Sequence, residues 1–194
     1  MKNIAYIALG LIFSALVAFA HSDAFKPQFV DTLVEPYLAI QKGLSSDDLK
    51  TAQVGANSFL EAMKEAPQEG EAQEEAADLS DPAKVIAEAS DIKAAREAFL
   101  ELSHEMIPLV QHVGTTKDTA LFVAHCPMAF GKKGGDWMQS GETVANPYFG
   151  NMMLHCGSIM EQIAGEDDEH SEHMSDGHAH SHMDKEHDHG MMHN

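Results

Sequence analysis

Between Ile92 and Val113 apolar residues return at alternating steps of three and four: Ile92, Ala95, Phe99, Leu102, Met106, Leu109 and Val113. An α-helix keeps such a set on one face, and a face that continuous is stable only when other helices cover it. The chain is therefore expected to be mainly α, a helical bundle of about four helices. Met106 reads as core, whereas His104 falls off the seam and reads as surface. His112 suits the last turn of the helix, and Gly114 suits its C-terminal cap.

Two further stripes precede this one. Phe29, Leu33, Tyr37, Ile40 and Leu44 define a helix in which Pro36 predicts a kink or a start. Gly43 loosens its end. Leu49, Ala52, Ala56, Phe59, Leu60 and Met63 define the next helix, with caps offered by Ser45, Ser46, Asp47 and Asp48 and a stop at Pro67. Residues 65–81, rich in Glu, Ala and Gln, read as a solvated linker or frayed helix. Asp81-Pro82 reads as a helix start, with a restart at Ser90-Asp91.

The chemistry lies beyond Gly114. Leu121–Ala124 is a short apolar run, a strand or a buried helical turn. Residues 131–147 contain Gly131, Gly134, Gly135, Gly141 and Pro147 and read as an ordered Gly-rich loop with a small core from Trp137, Tyr148 and Phe149. Asn151 is placed to cap a final helix reaching about Ile163. Both cysteines fall here, in His125-Cys126-Pro127-Met128 and Met152-Met153-Leu154-His155-Cys156-Gly157.

Thiolate and thioether are soft ligands that select Cu(I). On the expected helix Met153 and Cys156 share a face that Met160 continues, with Met152 also in reach. An extended backbone puts Cys126 and Met128 on one side. The expected metal ligands are Cys126, Met128, Met153 and Cys156, with His125 and His155 in a secondary role because neighbours in sequence usually point apart. Zinc on two Cys and two His would leave the methionines unexplained. A second reading stays open, in which Cys126 and Cys156 form a structural disulfide of an exported protein. Neither Cys-His adjacency is a catalytic geometry and no phosphate-binding motif occurs, so no enzyme is expected.

The ends are of different composition. Residues 1–20 carry Lys2, an apolar run from Ile4 to Phe19 and the small-x-small signal Ala18-Phe19-Ala20, which together read as a secretory signal peptide. Residues 21–164 then form one helical metal-binding domain in the periplasm, without a membrane partner once the signal is cleaved. Residues 165–194 read as a disordered tail rich in His and Met. It carries His170, His173, His178, His180, His182, His187, His189 and His193, imidazoles that bind Cu(II), Zn or Ni, and Met174, Met183, Met191 and Met192. A formal charge of -19 disfavours nucleic acid and anionic lipid and favours cations.

His125-Cys126-Pro127-Met128-Ala129, Gly135, Trp137, Ser140, Asn146-Pro147-Tyr148-Phe149-Gly150 and Met153-Leu154 followed, one residue on, by Cys156-Gly157 together carry a resemblance. Over residues 25–164 the chain resembles a bacterial domain of unknown function found in small exported proteins and fused to CusB-type adaptors of heavy-metal efflux systems. The resemblance implies a mainly helical periplasmic domain associated with copper, supports Cys126, Met128, Met153 and Cys156, and suggests an efflux adaptor as partner. It does not extend to Met152, His155 or the tail.

Secretion of the full chain should release a mature protein beginning at His21, read by intact mass and N-terminal sequencing. An uncleaved product would mean that the apolar run is a retained anchor.

Overall fold

The computed structural model describes residues 25–67 and 71–165. Four long helices and one small sheet account for most of them: α1 (Pro27–Ser45), α2 (Leu49–Ala62), α3 (Glu71–Glu88) and α4 (Ile92–Val113), then β1 (Leu121–Cys126), β2 (Gly135–Gln139) and β3 (Ser158–Ala164). The mainly helical reading holds, with a sheet added to it. The signal segment 1–20 and the tail beyond Gly165 lie outside the described residues.

Helix α1 starts at Pro27, where a missing N–H costs nothing, and carries Pro36 inside rather than beginning there. Its stripe Leu33, Tyr37, Ile40 and Leu44 is fully buried, while Phe29 stacks on Phe25 at its edge. Asp48 caps α2 by accepting the Thr51 N–H at 3.0 Å. Two glycines bring α1 and α2 together. A Cβ on Gly43 would stand 2.5 Å from the Ala52 nitrogen, and one on Gly55 2.8 Å from the Ile40 nitrogen. Gly43 thus serves close helix approach rather than fraying.

The largest departure among the helices is α3. Residues 71–88 form one helix, so of the two readings for residues 65–81, linker or frayed helix, the chain is helical from Glu71 onward, and Pro82, expected at a helix start, lies inside it. Its buried face is Ala72, Ala76, Leu79, Ala83 and Ile86, again at steps of four and three. Alanine contributes little to a hydrophobic count, yet it has the highest helix propensity and permits close packing. Helix α4 starts where expected, with Asp91 accepting the Ala94 N–H at 2.9 Å. Its seam is buried at Ala95, Phe99, Leu102, Met106 and Leu109, while His104 is exposed. The helices pack in chain order, α1 on α2, α2 on α3 and α3 on α4, and α4 closes back on α1. None of the described helices is long and apolar enough to cross a membrane.

The sheet has the order β2-β1-β3, antiparallel throughout. The expected Gly-rich loop therefore contains a strand, β2, and the expected final helix is a single 3-10 turn at Gly150–Met152 followed by strand β3. Gly157 decides the second case. Its φ of +130° belongs to no helix, and a Cβ there would lie 2.6 Å from the His125 carbonyl oxygen. Two register shifts in the β1–β3 pairing break strict alternation, which hides the strand in a period-two reading.

Helix α4 and α1 both pack on β2. Tyr37 joins all three: its hydroxyl accepts the Met138 N–H at 3.0 Å and shares a 2.7 Å hydrogen bond with Ser103 on α4. Burial pushes the Tyr37 phenol well above its ordinary value, so it stays neutral. Arg96 on α4 ties the helices to the loop after β2. It donates to the Pro147 carbonyl at 2.8 Å and the Leu44 carbonyl at 3.0 Å, and pairs with Asp47 at 2.6 Å. Asp47 in turn accepts the Asn151 N–H at 3.0 Å.

The Arg96 hydrogen bond holds the Asp47 carboxyl below its ordinary value. Its contribution to stability is thus present above the unfolded carboxyl value and fades as pH falls through the lowered folded value. Asp47 has a φ of 58°, which asparagine also tolerates, so Asp47→Asn removes the charge without new strain. We expect that variant to lose about 0.2–1 kcal/mol at pH 7 in urea unfolding, the range of solvent-exposed ion pairs, and to converge with the parent protein at acid pH.

Candidate functional site

Two strands and a turn build the site. Cys126 is the last residue of β1, paired with Gly135, and is fully buried. Cys156 lies in the turn just before β3, its N–H donating to the Met153 carbonyl at 3.0 Å, and is half-buried. The two Sγ atoms stand 3.2 Å apart as free thiols. The hydrogen bond with Cys126, and burial after it, raise the Cys156 thiol above its ordinary value. Aromatic rings belong to the same core as Cys126. Tyr148 packs edge-on against Trp137 at 5.6 Å and against Phe130 at 5.0 Å.

Of the residues expected to gather here, the structure joins Cys126 and Cys156. The helical argument for Met153, Cys156 and Met160 on one face does not hold, because Met153 and Cys156 sit in turns and Met160 in a strand. Met153 is half-buried within the turn bonded to Cys156, whereas Met128, Met152 and Met160 are 44%, 77% and 61% exposed. These three are the exposed methionines of the described residues, and each lies within four positions of a cysteine.

The histidines go elsewhere. His125 alternates with Cys126 along β1 and points to the other side of the sheet, where its Nδ1 meets Asp136 Oδ1 at 2.6 Å. His155 is exposed, and its Nδ1 donates to the Val144 carbonyl at 2.7 Å. Among the described residues no group of three or more His, Cys, Asp and Glu is placed to hold a metal ion. The donors at the thiol pair are thus two sulfurs, a soft set without carboxylate. The tail histidines lie outside the described residues.

The loop that carries Cys156 is organised by polar side chains the sequence reading did not single out. Gln139, nearly buried, accepts the Trp137 indole N–H at 3.0 Å and the Ala145 N–H at 3.1 Å, and donates to the Thr143 carbonyl at 2.9 Å. Gln41 donates to the Ala145 carbonyl at 2.6 Å. The available signal was a glutamine set between Ile40 and Leu44 on an otherwise apolar face. Asn146, noted only within a motif, is fully buried and holds the base of the loop.

Residues 33–118 match the family described as "Protein of unknown function (DUF3347)". Over that span the chain is similar to this family. The match runs from within α1 through α4 and ends three residues before β1, so it does not include the thiol pair. No curated protein and no solved structure matches the chain.

In Cys126→Ala the thiol whose contact raises Cys156 is gone. We expect Cys156 to be alkylated by iodoacetamide faster at pH 8 than in the parent protein, followed by mass spectrometry. An unchanged or slower rate would deny the thiol–thiol hydrogen bond.

Proposed function

We propose that this is an exported, periplasmic copper-binding protein without catalytic activity, which buffers Cu(I) or delivers it to a heavy-metal efflux adaptor. The observation that carries the reading is the contact of two free thiols, one buried and one half-buried, drawn from segments that each hold methionine. Cu(I) is cargo here, bound by Cys126 and Cys156, with Met153 in the turn beside Cys156 as a further thioether. Met128 stands next in line from the opposite segment. His125 and His155 serve the fold through their Nδ1 partners. The tail histidines, with their neighbouring methionines, capture Cu(II), Zn or Ni and raise the local supply of metal.

Bringing metal onto this pair requires a small opening. At the zinc–thiolate bond length of about 2.3 Å and a tetrahedral angle, two thiolates on one ion stand about 3.8 Å apart, already about 0.6 Å more than the 3.2 Å metal-free contact, and the wider angle of a two- or three-coordinate Cu(I) opens them further. That same closeness supports a second reading, in which the cysteines are disulfide-bonded within a structural or interaction module of an efflux system and only the tail binds metal.

Competition for Cu(I) against a chromophoric chelator separates the two. The full reduced chain should hold one tight equivalent more than its Cys126→Ser/Cys156→Ser variant. Equal binding by both chains would remove the thiol site, and a disulfide that thiol reductants leave closed in the folded protein would favour the disulfide module.

A further inference from the structure

The two cysteines are held very differently. Cys126 is fully buried at the end of the sheet's central strand, its backbone paired on the β2 side. Cys156 hangs on the loop from Asn146, so the loop sets where the second sulfur sits. Asn146 closes it. Its Nδ2 donates to the Cys156 carbonyl at 2.7 Å, and its backbone N–H donates to the Leu154 carbonyl at 2.7 Å. In the other direction its Oδ1 accepts the N–H groups of Tyr148 at 2.8 Å and Phe149 at 3.2 Å. Its own carbonyl accepts the Gly150 N–H at 3.1 Å. A second, outer tie runs from His155 Nδ1 to the Val144 carbonyl at 2.7 Å. On the far side of Cys156, Gly157 lies against the His125 carbonyl with no room for a Cβ.

This pinning holds the sulfurs at 3.2 Å, inside the spacing a bridging metal requires and within a short contraction of a disulfide. We propose that Asn146 is the positioning residue of the thiol pair: by pressing Cys156 onto Cys126 it favours reversible disulfide closure, so that metal uptake at this site is conditional on reduction. The uptake clause rests on the copper reading; the control of closure by Asn146 does not. Glutathione disulfide serves as the oxidant. One cysteine thiolate attacks it and releases one glutathione thiolate, leaving a mixed disulfide. The second cysteine, losing its proton to solvent, attacks the protein sulfur of that mixed disulfide and releases the second glutathione thiolate. Two thiols are oxidised and one glutathione disulfide is reduced to two glutathiones.

The test equilibrates the full mature chain with glutathione buffers at pH 8 and counts protein thiols after acid quench. Asn146→Asp keeps the acceptor for Tyr148 and Phe149 but sets a carboxylate against the Cys156 carbonyl. The parent protein should form the disulfide reversibly, and the equilibrium constant should fall about tenfold in Asn146→Asp, the worth of about one hydrogen bond. A residue that only supports the fold would lower the melting temperatures of both redox forms together and leave the constant unchanged, which would overturn the proposal. So would a parent protein that stays reduced in every buffer. If circular dichroism shows Asn146→Asp unfolded, His155→Ala decides instead. It loosens only the exposed outer tie and should lower the constant about threefold, a fraction of one hydrogen bond; no change there overturns the proposal.

A chelator competition run on reduced and oxidised parent chains reads the uptake clause. The oxidised chain should hold one Cu(I) fewer, matching Cys126→Ser/Cys156→Ser. Equal binding by reduced, oxidised and double-serine chains would sink the copper reading, while the glutathione constants would still decide the role of Asn146.

Discussion

Helix α4 is the wall on which both halves of the molecule rest. Its buried seam of Phe99, Leu102, Met106 and Leu109 faces the bundle, and α4 also packs on β2 and β3. Without that shared face the sheet would be three short strands with little to cover them, below what a sheet needs to stand alone. Tyr37 and Arg96 make the attachment specific. The first ties α1 and α4 to the middle of β2, and the second ties α4 to the loop beyond it. Each satisfies backbone groups that the sheet and loop would otherwise leave unpaired in the interior.

The thiol pair follows from this arrangement. Fixing β2 fixes β1, and β1 ends in Cys126. Fixing Pro147 and Asn151 through Arg96 and Asp47 then holds the loop whose far end is Cys156. Sulfur atoms thirty residues apart in sequence meet because a helix arginine anchors the loop at Pro147 and a buried asparagine ties its two ends together. The likeness to a family runs over residues 33–118, within the helices and the link to β1. The bundle is the platform, and the sheet carries what is particular to the proposed chemistry.

Methionine placement gives the proposed copper chemistry a direction. Met153 is half-buried in the turn bonded to Cys156, while Met128, Met152 and Met160 lie open to solvent. A large thioether side chain left in water gains nothing for the fold. Under the proposed function these exposed side chains are available to exchange Cu(I) with a chelator or partner, whereas the paired thiols set the resting affinity.

The sequence alone determined α1, α2 and α4, because alternating steps of three and four leave no other periodic solution, and Asp48 and Asp91 start helices where side-chain caps are needed. It also singled out Cys126 and Cys156 by the soft donors around them. It did not fix α3 over residues 71–81, whose face is built largely of alanine, nor β3, where Met153, Cys156 and Met160 imitate a helical spacing. Tertiary structure decided those two. Neighbouring helices supply the burial that an alanine face cannot announce, and the carbonyl of His125 occupies the space a side chain at Gly157 would need, ending any helix there. The same holds for Asn146, Arg96 and Gln41, whose partners lie ten to about a hundred residues away along the chain. A hydrogen bond of that reach leaves no local pattern, since only the folded chain brings donor and acceptor within 3 Å of each other.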